Sequence, residues 1–292
     1  MSADLNYALK RLVRGLYSDN HAVKQGFFLA SVVVLSRFKG NIDFEKYIEF
    51  VMEETKTNSG MKNPEIHAML MGRMMCVSAV IESGWIGQGT NQGQQRQLLA
   101  LLDILIGIYD SQEFLREAIQ VIISKILKAQ NRSVKIFDYI VQKLLGSPDK
   151  IKNHKDSVIF QSSSSLSLFL TLRDIYSTSF DGQSKEMNDI LHMNFMKDKK
   201  ILLQISTLIK GQTYLYPRLH SSIPLLIKEV FRDEKSFESN FALFSQILLE
   251  QTIFDERVHD TMKSVAKYKY LHIGLRIVES LLKQVQLSST PK

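Results

Sequence analysis

The feature that most restricts the fold of this chain is a helical period that runs almost without interruption from residue 3 to residue 285. Apolar residues return every three or four positions, the spacing that gathers them on one face of an α-helix. Leu5, Ala8, Leu9, Leu12 and Leu16 do so in a first segment over 3–17. Val23, Phe27, Ala30 and Val34 do so in a second, and Phe44, Tyr47, Ile48 and Val51 in a third over about 43–57. The strict apolar/polar alternation of a half-buried strand is missing. With 14 glycines and 5 prolines in 292 residues, the chain also lacks the tight-turn residues that a β-rich fold requires. The period predicts an all-α protein.

Punctuation sets the boundaries. Asp19 or Asn20 can cap the second helix and Asp43 the third. Asn63-Pro64-Glu65 reads as a cap, a proline at the first helical position and an early acid, and Gly84 as a stop. Residues 84–93 form a glycine-rich loop, followed by helices over about 94–109, 112–129 and 133–146. Residues 147–164, basic and then serine-rich, read as a long connection. Further helices are expected at about 165–180, 185–194, 197–210, 217–231, 235–252 and 256–285, and the tail from Gln286 as disordered. Pairing consecutive helices gives units that begin near residues 3, 43 and 94, the forty-to-fifty-residue size of HEAT or armadillo units. The expected architecture is therefore a HEAT/armadillo-like α-solenoid of about twelve to fourteen helices. It would have N-terminal repeats over 1–146, a connection over 147–164 and C-terminal repeats over 165–285 that continue the same solenoid. An elongated repeat also lets 292 residues bury apolar surface without one oversized core.

The residues offer little chemistry. Seven histidines lie far apart with no HExxH-like pair, so no metal is expected. Gly87-Gln88-Gly89-Thr90-Asn91-Gln92-Gly93 lacks both the Lys-Ser/Thr of a phosphate loop and a preceding strand, and reads as a helix connection. The acidic pairs Glu53-Glu54, Asp233-Glu234 and Asp255-Glu256 sit side by side on helices. Neighbours there diverge by about 100° rather than converging on two metal ions. No G-x-S-x-G nucleophile motif occurs. The reading is a non-enzyme without cofactor, metal or small-molecule substrate. Leu98-Leu99-Ala100-Leu101-Leu102 matches an LxxLL docking helix, but those leucines are expected in the core. A single cysteine, Cys76, allows no intrachain disulfide and fits a reducing compartment. The longest apolar stretch, Phe27 to Leu35, is too short to span a bilayer, so no membrane partner is expected.

Charge is more informative. The net charge is +7, and between Lys125 and Lys155 eight basic residues face two acids, a local excess of six. Lys125, Lys128, Arg132 and Lys135 follow one another at three- to four-residue spacing, and Lys150, Lys152 and Lys155 extend the run. Such a ridge suits a phosphate backbone, RNA or DNA, better than base reading, because stacking aromatics are not interleaved with it. An acidic protein is the competing partner.

Three patches carry a family resemblance. Tyr7-Ala8-Leu9-Lys10-Arg11-Leu12-Val13-Arg14-Gly15-Leu16 followed by Ala22-Val23-Lys24-Gln25-Gly26-Phe27 resembles the opening of the DNA polymerase phi / Myb-binding protein 1A family. Leu70-Met71-Gly72-Arg73, ending in Ser83-Gly84, is similar to its GR…SG helix. Tyr216-Pro217-Arg218-Leu219-His220 resembles its HPRLH element, with Tyr216 in place of the first histidine. The resemblance implies a nuclear and nucleolar α-solenoid that supports ribosomal RNA production, ribosome assembly and transcription regulation. Its implied partners are proteins of those machineries and rRNA or rDNA. The match corresponds to the N-terminal part of typical members, which implies either a fragment or a short member. Read physically, Gly15 and Gly26 are expected to permit close helix approach or a turn, and Pro217 to begin a helix whose Arg218 and His220 tie it to a neighbour. A helical-repeat nucleic-acid-binding module and a generic HEAT-type adaptor or transport factor are the other readings.

Overall fold

The computed structural model describes residues 2–86, 92–129, 134–144, 163–176, 194–210, 222–232, 234–255 and 264–289. These residues form twelve α-helices, short 3-10 turns and one π-helical segment, and among them there is no strand. Residues 185–193 of the helix expected at 185–194, and the starts of those expected at 217 and 256, lie outside the described residues. The chain divides into two compact units, Met1–Ile136 and Phe137–Lys292.

The first unit holds α1 (Ala3–Leu16), α2 (His21–Phe38), α3 (Phe44–Glu54), α4 (Asn63–Glu82), α5 (Gln92–Ser111) and α6 (Arg116–Ala129). Its helix starts follow local chemistry. Ser2 Oγ accepts from Leu5 N–H at 3.3 Å, Asn20 Oδ1 from the N–H groups of Ala22 and Val23 at 2.9 and 3.2 Å, and Asp43 Oδ1 from Lys46 N–H at 2.9 Å. Each bond satisfies a donor that the first helical turn leaves without a partner. The start of α4 differs from the expectation. Asn63 is already helical, the cap is Lys62, and Glu65 reaches back to accept from Lys62 N–H at 2.9 Å. A long, acceptor-free lysine cannot cap with its side chain, so the early acid alone closes the turn. Gly84 ends α4 at φ +64°, a left-handed conformation that a Cβ would strain.

Helix α4 is the hub of this unit, touching α1, α2, α3, α5 and α6. Its Leu70, Met74, Val77 and Val80 are buried. Leu98, Leu101 and Leu102 of the LxxLL-like run are buried as well, so the core reading of that run holds.

Helix α7 (Val134–Leu144) crosses from the first unit to the second. The reason is packing. Phe137 is buried with its ring 4.3 Å from that of Tyr176, which draws α7 into the second core. That unit continues with α8 (Ser163–Ile175), α9 (Lys199–Lys210), α10 (Ile223–Val230), α11 (Phe237–Phe244) and α12 (Ser264–Ser289). The single helix expected at 235–252 is three pieces: a 3-10 turn, α11, and a π-helical segment over Ser245–Ile253. Thr252 explains part of the wide turn. Its hydroxyl donates to Ile247 C=O, five residues back, at 2.6 Å, and shares a 2.7 Å bond with Ser206 of α9. The last helix runs through Ser289, so residues 286–289 continue it where the sequence suggested a tail.

Candidate functional site

Gly15, Phe27, Gly72 and Arg73 of the first two patches converge on one joint in the first unit. Gly15 stands where α1 meets α2. A Cβ there would lie 2.1 Å from Phe27 Cγ, so only glycine admits the Phe27 ring. Gly72 does the same for α4 and the end of α1, since its Cβ would lie 2.9 Å from Tyr17 Cβ and 3.3 Å from Tyr17 N. Beside it, Arg73 ties α4 to the end of α3. Its Nε donates to Thr55 Oγ1 at 2.9 Å and its Nη2 to Thr55 C=O at 2.6 Å. Thr55 is buried and its hydroxyl in turn donates to Val51 C=O at 2.6 Å. Arg73 therefore satisfies a carbonyl that the end of α3 would otherwise bury without a partner. Burial lowers the Arg73 pKa below its usual value and raises the neighbouring Cys76 thiol to about 12, which leaves the cysteine protonated and inert.

The joint continues on two sides. Glu54, at the end of α3, accepts from Arg14 Nε at 2.8 Å and pairs with Lys10 Nζ at 3.4 Å. Burial acts to raise the Glu54 pKa, but the bonds from Arg14 and Lys10 outweigh it and hold the carboxyl below its ordinary range. At the far end of α4, Ser83 Oγ donates to Val80 C=O at 2.7 Å and accepts from Trp85 N–H at 3.3 Å. The Trp85 ring then lies 5.6 Å from both Phe44 and Tyr47 of α3, and Lys39 Nζ donates to Gly84 C=O at 3.1 Å. Gly26 departs from the expectation. It is exposed on α2 with nothing within 4 Å of where its Cβ would be, so no close approach in this chain requires it. Pro217, Arg218 and His220 lie outside the described residues.

The basic stretch is less uniform in space than in sequence. Lys125, near the end of α6, is exposed and forms an ion pair with Glu82 of α4, an acid 43 residues away in the chain. Lys135 is exposed in the first turn of α7, and Lys143 of the same helix lies 5.7 Å over the Tyr139 ring. Lys128 belongs to α6, but its side chain lies outside the described residues, as do Arg132, Lys150, Lys152 and Lys155 altogether.

Glu54 is held by two cations, and Glu53 pairs with Lys56 at 3.8 Å. Among the described residues no three His, Cys, Asp or Glu side chains come together as a metal site, and no helix is long and apolar enough to cross a membrane.

A family model described as DNA polymerase phi matches residues 7–291. The chain belongs to the DNA polymerase phi family. The match takes in both units, so the family assignment covers the second core as well as the joint. No curated protein and no solved structure matches the chain. For this DNA polymerase phi family member, sequence reasoning found Gly15, Phe27, Gly72 and Arg73 but missed Tyr17, Thr55 and Glu54, which pack or bond at the same joint. Those partners carry no signal of their own. A tyrosine, a threonine and a glutamate at helix ends are ordinary until the fold brings Gly72, Arg73 and Arg14 to them.

Proposed function

We propose that this protein is a non-enzymatic scaffold, a HEAT/armadillo-like α-solenoid working in the nucleus and nucleolus. In this reading it supports ribosomal RNA production and ribosome biogenesis by binding proteins of the assembly and transcription machinery, with rRNA or rDNA as a further contact. The observation that carries the reading is the use to which the signature residues are put. Gly15, Phe27, Gly72 and Arg73 are all spent on joining helices. Signature residues spent on helix joints suit a protein whose function is the shape of its surface. The experiment is purification of the tagged protein from cells with proteins and crosslinked RNA identified together. Recovery of ribosome-assembly factors or rRNA above an unrelated helical-repeat control is the expected result. Recovery of neither ends this reading. In a companion assay, purified protein given primer-template, nucleotides and magnesium should extend nothing; extension abolished by an acidic-residue substitution would overturn the non-enzymatic assignment.

A nucleic-acid contact on the 125–155 stretch is supported by its local charge excess and by the exposure of Lys135. Phosphate contacts release counterions, so binding should weaken steeply with salt and depend little on sequence. The triple change Lys128→Glu, Arg132→Glu, Lys135→Glu should reduce RNA binding at low salt at least tenfold with an unchanged helical spectrum. Parental binding and salt slope in the triple variant would remove nucleic acid from the proposal. Lys125 is expected to contribute less than Lys135, because Glu82 already neutralises it.

A further inference from the structure

The second unit holds a cavity of about 360 Å³, lined from α8, from α10 with the two residues after it, and from α12 through Gln284. That volume lies at the lower end of the roughly 300–1,000 Å³ of small-ligand sites. Leu170, Leu225 and Phe231 give it apolar surface. Among the described residues its charged lining is Arg173, Lys228 and Arg232 against Asp174 and Glu229, one positive charge in excess. Both acids are already engaged. Asp174 Oδ1 accepts from Lys228 Nζ at 2.6 Å. Glu229 accepts from Arg173 Nη2 at 2.7 Å and from Arg232 Nη1 at 2.8 and 3.1 Å, so two guanidiniums share one carboxylate.

The two guanidiniums differ in what they leave open. The Arg173 side chain is fully buried and backs the cavity, whereas that of Arg232 is part-exposed. Among the described residues Arg232 bonds to Glu229 through Nη1 alone. Its Nε–H and Nη2–H groups, an edge that grips a carboxylate with two parallel bonds, remain for a ligand. The lining also says which anion fits. An excess of one charge matches a monoanion. A phosphate, carrying about −1.5 to −2 at neutral pH, would meet the Asp174 and Glu229 carboxylates with a second negative charge. A bare inorganic ion would leave Leu170, Leu225 and Phe231 without a partner, whereas a hydrocarbon body covers them. We propose that this cavity binds the carboxylate of an apolar monocarboxylic acid, with the free edge of Arg232 as its anchor and the three apolar residues around its body. Two sources carry that chemistry: a free short-chain acid, and the C-terminus of a peptide whose last residue is apolar. The inference goes beyond the scaffold reading by naming a ligand site, and it rests neither on that reading nor on any contact with nucleic acid.

The test titrates the full chain, by ligand-detected NMR, with hexanoate, its neutral counterpart hexanamide, and hexyl phosphate. A second arm uses an N-acetylated tetrapeptide ending in leucine, with a free C-terminus or a C-terminal amide. One of the two carboxylates should bind saturably, at least tenfold tighter than its own amide and than hexyl phosphate, and more weakly as salt rises. Whichever carboxylate binds more tightly identifies the source. Arg232→Lys keeps a cation beside Glu229 but loses the planar fork, so it should weaken binding about fivefold, the worth of one hydrogen bond. Asp174→Asn removes a carboxylate from the lining and should tighten binding at least twofold, a gain that misfolding cannot produce. No binding of either carboxylate, equal binding of a carboxylate and its amide, preference for hexyl phosphate, or parental binding by Arg232→Lys overturns the proposal. Failure of this test leaves the cell purification free to succeed, and the reverse, so the two readings fail separately.

Discussion

The two units of this protein hold their helices together by different means. In the first, α1, α2 and α4 are brought close by glycines, with Gly15 under the Phe27 ring and Gly72 against Tyr17. The ionic and guanidinium ties of that joint sit at helix ends, where Arg73 meets Thr55 and Glu54 meets Arg14 and Lys10. In the second, polar groups go into the core itself. Arg173 of α8 is buried and donates to Glu229 of α10 at 2.7 Å, and Arg232 donates to both Glu229 oxygens at 2.8 and 3.1 Å. The Arg173 guanidinium also lies 5.4 and 5.0 Å over the rings of Phe169 and Phe195. Burial lowers its pKa to about 10, with Glu229 opposing and Arg232 assisting, yet it stays charged at neutral pH. Ser206 with Thr252 and Ser167 with Ser222 add hydroxyl pairs between elements. The lesson is one of tolerance. An apolar, glycine-spaced joint resists added volume, whereas an ionic core resists loss of a partner.

That contrast can be broken most forcefully at Arg173. Arg173→Met should destabilise the second unit by about 3 kcal/mol or more, because Glu229 loses its buried partner and keeps only the part-exposed Arg232. The double change Arg173→Met with Glu229→Leu should recover most of that loss, since an apolar pair of similar volume needs no compensation. Urea unfolding of the three proteins decides it. If the double variant is as unstable as the single, Arg173 stabilises the core by packing against Phe169 and Phe195 rather than by its charge.

The next effect tests the first unit. Gly15→Ala should cost about 1–3 kcal/mol, the range for forcing extra volume into a filled space, because Phe27 must move. Gly26→Ala, on the same helix pair but facing open space, should instead stabilise by about 0.5–1 kcal/mol through the lost flexibility of the unfolded chain. Thermal melts that shift in the same direction for both would show that the close approach of α1 to α2 is not what Gly15 provides.

The smallest effect concerns pH. The folded Glu54 carboxyl lies below its ordinary value of 4.5. Its contribution is therefore full above that value and is lost as pH falls through the lower folded one, where protonation releases Arg14 and Lys10. Glu54→Gln should lower the melting temperature slightly at neutral pH, and the gap to the parent should close in acid. A gap independent of pH would mean that Glu54 acts through packing alone.

Much of the fold was legible before any coordinates. The all-helical class, the caps at Asn20 and Asp43, the stop at Gly84 and the core role of Leu98, Leu101 and Leu102 follow from period and local chemistry. The π-helical segment was not legible, because one of the bonds that fix it joins Thr252 to a serine 46 residues earlier. Of the candidate site, Gly15 and Gly72 were found as glycines, but Gly26 looks identical in sequence and has a different environment. The positive excess of the basic stretch is smaller in space than along the chain, since the acid that neutralises Lys125 arrives from α4.

What this sequence determines by itself is therefore everything carried within one or two helical turns. It sets where helices begin and end, which face is apolar, and the heptad spacing of Leu271 to Val285 on α12. Only the tertiary structure decides which glycine meets a ring, which cation already has its anion, and which apolar stripe is buried and which exposed. On α12 both faces carry apolar residues, and the burial of Ile273 and Ile277 against exposed Leu275 and Leu282 is settled by the neighbours alone. The physical reason is range. Helix propensity, capping and periodicity act between residues a few positions apart, whereas close packing and ion pairing act between atoms a few ångströms apart, whatever the length of chain between them.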